Sequence, residues 1–309
     1  ASTTGGADSA DATAGATETT VPSGEYAVSL RWTALDAGTT AAAIFALNTA
    51  TDFTQFRAAA SLFDVPAQNL VYADRAGNIG YQAPGRLPIR GAGDGTMPQP
   101  GWDSAYDWRG FIPFTELPVV YNPDEGYIVT ANNAVIGTDY PYFLGSDWDY
   151  GWRAARIVDL IERAAARGPL TADDMTAIQA DQEFWMGKRP IGAYADITLP
   201  DEKAQRGLDL LAGWDAQNGA DSSAAAFANV LWDELASDLF ARRAHPVGLS
   251  GQSRLFVVVD RLLDEPDSDW WTNDTIGVDG QREMLERAAT DASARLVALQ
   301  GDDPDAWNW

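Results

Sequence analysis

The chain has 309 residues, and its 45 acidic against 21 basic side chains give a formal net charge of −24. So acidic a balance, with no clustered Lys or Arg, excludes recognition of a nucleic-acid backbone, which needs phosphate-neutralising cations. With no Cys there is no disulfide or thiolate chemistry, and no apolar run approaches the roughly 18 residues of a membrane-spanning helix.

Enough apolar material remains for a substantial core. Hydrophobic residues make up 46% of the chain, and 12 of them are Trp. The length suits one large domain or two. A strongly acidic surface is compatible with a secreted protein or a salt-tolerant organism.

Residues 1–24 are Ala, Gly, Ser, Thr and acid. Such a segment buries too little apolar surface to offset the cost of ordering it, and it reads as a flexible insertion. Tyr26, Val28, Leu30 and Trp32 alternate with smaller or polar residues, which predicts a strand with one buried face. An apolar run covers 41–48. The spacing of Phe53, Phe56, Ala60 and Phe63 predicts a helix over 52–62, closed by Pro66.

The stretch 68–133 is the densest in turn signals, aromatics and short β-like runs. Asn69–Ala73 and Asn78–Tyr81 flank Asp74-Arg75-Ala76-Gly77, which predicts a hairpin in which the Gly supplies φ > 0. Pro84, Gly85, Pro88 and the Gly/Pro cluster from 91 to 101 predict a structured loop. Trp102, Tyr106, Trp108, Phe111 and Phe114 beside it need a surface to bury against. After a turn at 121–126, Tyr127–Ala131 reads as a strand ending in Asn132-Asn133. An Asn pair at that position is ordinarily a turn.

Helical periodicity then takes over. Helices are predicted over 152–167, from Thr171 to Gln182, and over 201–211, 223–243, 252–263 and 281–299. Thr171 with Asp174 makes a capping-box start, and Gly301 a C-terminal cap. The lone His245 reads as a helix-end cation with no Ser or Cys motif near it. The predicted organisation is a flexible segment 1–24, a β-rich part 25–150 and a mainly helical part 151–309, in an α+β fold. Trp307-Asn308-Trp309 leaves terminal aromatics without a following partner, which reads as a cut piece of a longer polypeptide.

The strings NLVYAD, GNIGY, APGRLPIR, DGTMPQPGW, YDWRGFIPF, NPDEGYI and ANN, in that order, resemble the penicillin acylase family of N-terminal nucleophile amidohydrolases. The resemblance continues through Tyr140-Pro141, Trp152-Arg153 and Gly213-Trp214-Asp215, and covers roughly 25–309. It implies part of an α-β-β-α core with a mostly helical C-terminal half, from the middle of the catalytic β-chain. The implied activity is hydrolysis of linear amide bonds in N-acyl compounds such as penicillins, cephalosporin precursors or acyl-homoserine lactones. A Ser, Thr or Cys freed by autoproteolysis would be nucleophile, and its own amine the base.

Ala1 does not match such a nucleophile. The expected chain is therefore inactive alone, with the α-chain and the remainder of the β-chain as partners in a periplasmic or extracellular enzyme. An alternative is a non-catalytic relative that binds a ligand on the same scaffold. By resemblance, Asn132 donates to the oxyanion and Arg153 supports the catalytic geometry. Gln68, Ile44 and Phe45 lie near the acyl pocket, although core packing is the plainer reading of the two apolar residues. A structural Ca²⁺ would take Asp147 and the Gly95 carbonyl among its ligands, although acids are so abundant here that a solvated side chain is the plainer reading of Asp147 and Asp149. Arg156 reads as a surface or ion-pair residue. A piece isolated from its partners would leave sheet edges unpaired.

Overall fold

The computed structural model describes residues 27–242 and 252–309. The 1–24 segment, Tyr26 and His245 lie outside them. The chain divides into two units, the first holding residues up to 122 with 140–144, and the second 123–139 with the residues from 145 on.

In the first unit, helices α1 (Thr40–Leu47) and α2 (Phe53–Ala60) precede strands β1 (Leu70–Ala73), β2 (Ile79–Gln82), β3 (Pro88–Arg90), β4 (Trp108–Phe111) and β5 (Val119–Tyr121). An antiparallel sheet runs in the order β1-β2-β5, and β3 pairs with β4 across a bulge between Ile89 and Arg90. The β1-β2 hairpin forms as the sequence predicts. Gly77 takes φ +89°, and Asp74 Oδ1 accepts the backbone N–H groups of Ala76 and Asn78, both at 2.9 Å. An Asp that binds its own turn this way replaces the hydrogen bonds that strand residues would supply.

Helix α2 starts where Asp52 accepts the Gln55 N–H at 2.8 Å. Its apolar face covers the sheet. The Phe53 ring stacks on Tyr121 at 4.5 Å between centroids, and Phe56 meets Tyr72 at 5.2 Å. Gly80 permits this approach, since a Cβ there would lie 2.3 Å from the Phe53 ring.

Two expectations fail here. Residues 27–32 form no strand, and Val28, Leu30 and Trp32 stand exposed, because no described segment pairs with them. None of the loop aromatics is fully buried, and guanidinium groups lie over three of them, Trp108, Phe111 and Phe114. Arg31 lies 4.4 Å from the Trp108 ring centroid and Arg86 4.5 Å from that of Phe111.

The second unit is helical: α3 (Trp152–Ala165), α4 (Ala172–Gln179), α5 (Lys188–Gly192), α6 (Glu202–Leu211), α7 (Ser223–Ala236), α8 (Gln252–Leu262) and α9 (Gln281–Gln300). The long helices lie within a few residues of their predicted spans. The reciprocal box of Thr171 and Asp174 opens α4, and Gly301 closes α9 at φ +101°. Helix α7 runs on into a π-helical turn at Ser237–Ala241.

The core lies between α6, α7 and α9, where Phe227, Leu231, Leu235, Met284 and Leu296 are buried. Gly207 on α6 lets the Phe227 ring approach, since a Cβ would lie 2.4 Å away. Of the terminal aromatics, Trp307 finds its partner within the chain and Trp309 is exposed. Trp307 is 1% exposed and stacks on Phe227, at 6.1 Å and an interplanar angle of 11°. Its partner precedes it by eighty residues, where a local pattern gives no hint of it.

Candidate active site

Asn132 and Arg153 come together in the second unit. Tyr127–Ala131, expected as a strand, belongs to no ladder among the described residues. Its ends are held on α3 instead. The Tyr127 hydroxyl donates to Glu162 Oε1 at 2.9 Å, and the Ala131 carbonyl accepts from Arg153 Nη2 at 2.8 Å. The lengths agree. Four steps of extended chain cover about 13 Å, and the nine residues from Arg153 to Glu162 rise about 13.5 Å along a helix. The segment therefore lies along α3, its direction reversed.

At the end of this segment the chain turns. Asn132 has φ +63°, in the left-handed region that Asn tolerates better than other side-chain-bearing residues. Asn133 supports the turn, its Oδ1 accepting the Ala131 N–H at 3.0 Å. The Asn132 carbonyl accepts the Asp149 N–H at 2.9 Å, and a short parallel bridge joins Asn133 to Asp149.

Arg153 is the second residue of α3, whose N-cap is Gly151 at φ +86°. Its Nη2 donates to Asn132 Oδ1 at 2.8 Å as well as to the Ala131 carbonyl. A guanidinium only donates, so the edge of the Asn132 amide turned to Arg153 must be its oxygen. The opposite edge, the NH₂ of an exposed residue, is then a donor held in a fixed direction.

Two further contacts hold α3 itself. Trp152 packs on a buried cluster of Phe184, Ala216, Ala228 and Phe256. One turn on, Arg156 is 11% exposed, grips Asp181 with two hydrogen bonds at 2.7 and 2.9 Å, and reaches Asp159 and Glu183. Its hydrogen bonds hold the Asp181 carboxyl below its ordinary range. The ion-pair reading of Arg156 is correct, but the group is largely buried.

Asp149 is the residue that the sequence undervalued. Read as a solvated acid, it is 11% exposed, and its Oδ2 lies 3.5 Å from Arg153 Nη2. Its Oδ1 accepts the Gly151 N–H at 2.9 Å. The available signal was its position two residues before a glycine that opens a helix.

The other candidates divide between the two units. Gln68, Ile44, Phe45 and Gly95 belong to the first unit. Ile44 and Phe45 are 51% and 75% exposed, so they pack no core here; Ala43 is the buried residue of α1. Gln68 is exposed in a loop. Asp147 is in the second unit, with its side chain 97% exposed and 3.5 Å from Arg254. The described residues contain no group of three or more His, Cys, Asp or Glu placed to hold a metal ion. A cavity of about 610 Å³ in the helical unit is lined by Lys188, Tyr194, Gln205, Asp209 and Trp214 among others, and takes in neither Asn132 nor Arg153.

The sequence pattern of the family described as penicillin amidase matches residues 9–309. The chain belongs to the penicillin amidase family. It is 30% identical over 266 residues to an acyl-homoserine lactone acylase of Pseudomonas fluorescens, covering 79% of this chain and 32% of that protein. It is 34% identical over 215 residues to the penicillin acylase 2 proenzyme of a Pseudomonas species, covering 65% and 27%. Among solved structures, a thermostable penicillin G acylase from Alcaligenes faecalis superimposes with a TM-score of 0.63 at 23% identity, over 88% of this chain and 54% of that one. The fold, mixed α+β and rich in helix, is therefore shared with part of that penicillin G acylase. The amidase-family chain spans about a third of the length of the curated relatives it matches. No helix among its described residues is long and apolar enough to cross a membrane.

Proposed function

We propose that the protein to which this chain belongs hydrolyses linear amide bonds of N-acyl compounds, and that Asn132 supplies an oxyanion donor. The observation that carries this reading is the hydrogen bond from Arg153 to Asn132 Oδ1, which turns the amide NH₂ outward. When a nucleophile adds to an amide carbonyl, charge develops on its oxygen. A donor already aimed at that oxygen needs no reorganisation and contributes about 3–4 kcal/mol to lowering the barrier. The left-handed backbone of Asn132 and the double grip of Arg153 provide such rigidity.

The nucleophile and the base in this reading are the hydroxyl or thiol and the free amine of an N-terminal residue made by precursor processing, outside these 309 residues. The acyl–nitrogen bond breaks, the amine leaves with a proton, and water then releases the acyl group as a carboxylic acid. Penicillins, cephalosporin precursors and acyl-homoserine lactones share this bond. Gln68, Ile44 and Phe45 are the positions proposed to border the acyl group. A periplasmic or extracellular location and a structural calcium ion, with Asp147 as one carboxylate ligand, belong to the same proposal for the whole protein and enter no chemical step.

The test is to express the complete protein with its processing partner chain and offer it penicillin G, a cephalosporin precursor and acyl-homoserine lactones of several lengths. Release of the free amine from at least one of them supports the reading. No amine from any, with the processed chains assembled, favours a ligand-binding relative.

A further inference from the structure

We propose that Asp149 is a positioning residue of this site: its carboxylate keeps the Arg153 guanidinium on Asn132 and so holds the Asn132 NH₂ in its donating direction. This rests on the reading of Asn132 as an oxyanion donor.

Asp149 touches every part of the arrangement. Its backbone N–H holds the Asn132 carbonyl, its Oδ1 holds the Gly151 N–H at the start of α3, and its Oδ2 faces Arg153. The last contact is one of charge. Nη2 carries two protons, and these go to the Ala131 carbonyl and to Asn132 Oδ1, both at 2.8 Å. At 3.5 Å Asp149 Oδ2 therefore acts on Arg153 as an anion beside a cation. An amide would not replace it.

Arg153 needs such a neighbour for two reasons. It is the second residue of a helix, where the exposed N–H groups repel a positive charge. Its side chain is also 51% exposed, so water competes for it. A carboxylate that is 11% exposed and fixed to the helix start offsets both. Holding the Gly151 N–H would need only one oxygen of any short polar side chain; the second oxygen, turned to Arg153, is what the helix start alone does not require.

The complete protein tests this. Asp149→Asn keeps an acceptor for Gly151 and removes the charge. The expected result is a fall in kcat of about tenfold with KM within about twofold, and little change in Tm. Asp149→Glu, which restores the charge, should recover part of the rate. In an Arg153→Met background Asp149→Asn should cost no further rate, since its effect runs through Arg153.

Wild-type kcat in Asp149→Asn, or the same fold loss with and without Arg153, would overturn the proposal. Should Asp149→Asn fail to fold, Asp149→Ser carries the same expectations. Asn132→Ala separates the two levels of the argument. If it retains the wild-type rate, the oxyanion reading fails and this proposal with it. If it loses the rate while Asp149→Asn does not, only the role of Asp149 fails.

Discussion

Arg153 Nη2 and Asn132 Oδ1 are 2.8 Å apart, and because a guanidinium has no acceptor, this one bond decides which edge of the Asn132 amide faces outward. Lys in place of Arg153 ends in a compact, strongly hydrated ammonium on a shorter side chain, and does not carry a donor nitrogen to the place from which Nη2 holds both Ala131 and Asn132. Arg153→Lys should lower kcat by about 10- to 100-fold with KM within a few-fold. Steady-state kinetics of the complete protein on an N-acyl substrate check this. Unchanged kcat would mean that the Asn132 orientation does not depend on Arg153.

The backbone of Asn132 separates stability from activity. At φ +63° a Gly is unstrained, so Asn132→Gly should leave stability within about 1 kcal/mol of wild type, although it also loses the bond to Arg153. It should nevertheless abolish most of the turnover. Thermal unfolding and kinetics of the same preparation measure both effects. A parallel loss of Tm and rate would assign Asn132 to the fold instead.

The approach of α2 to the sheet makes a prediction about stability alone. A Cβ at position 80 would lie 2.3 Å from the Phe53 ring, which itself stacks on Tyr121. The ring cannot move without leaving that stack. Gly80→Ala should cost about 1–3 kcal/mol, seen as a lowered Tm with the spectrum of the folded state retained below it.

Asp74 sets an acid dependence. The hydrogen bonds from Asn78, with those from Tyr72 and Ala76, lower its carboxyl from the usual 3.8 to about 2. A carboxylate depressed on folding adds stability above its unfolded value and loses that contribution as pH falls through the folded one. The window is therefore between about 4 and 2. The Tm difference between wild type and Asp74→Asn should be constant above pH 5 and shrink across that window. A difference that does not change down to pH 2 would contradict the charge-based account of this hairpin.

Local patterns carried much of the fold. The hairpin around Gly77, the capping box of Thr171 and Asp174, and the span of α9 depend on residues a few positions apart, so composition and periodicity reveal them. What depended on partners was not legible. Residues 27–32 alternate as a strand does, yet alternation cannot supply a neighbouring strand. Trp307 is buried on Phe227, eighty residues away.

The site divides in the same way. Asn132 and Arg153 were named from the family resemblance and the structure brings them within hydrogen-bonding distance, but Asp149 was lost among 45 acidic side chains. Its contacts run to Asn132, Gly151 and Arg153 together, an arrangement no spacing rule encodes.

The central claim is that the outward NH₂ of Asn132 stabilises the oxyanion of amide hydrolysis. The measurement that reaches it most directly is kcat of Asn132→Ala in the complete, processed protein, on whichever N-acyl compound the wild type cleaves. The account predicts a fall of about 10²–10³-fold, with KM changed little and the folded state retained. A folded variant that turns over at the wild-type rate would contradict it.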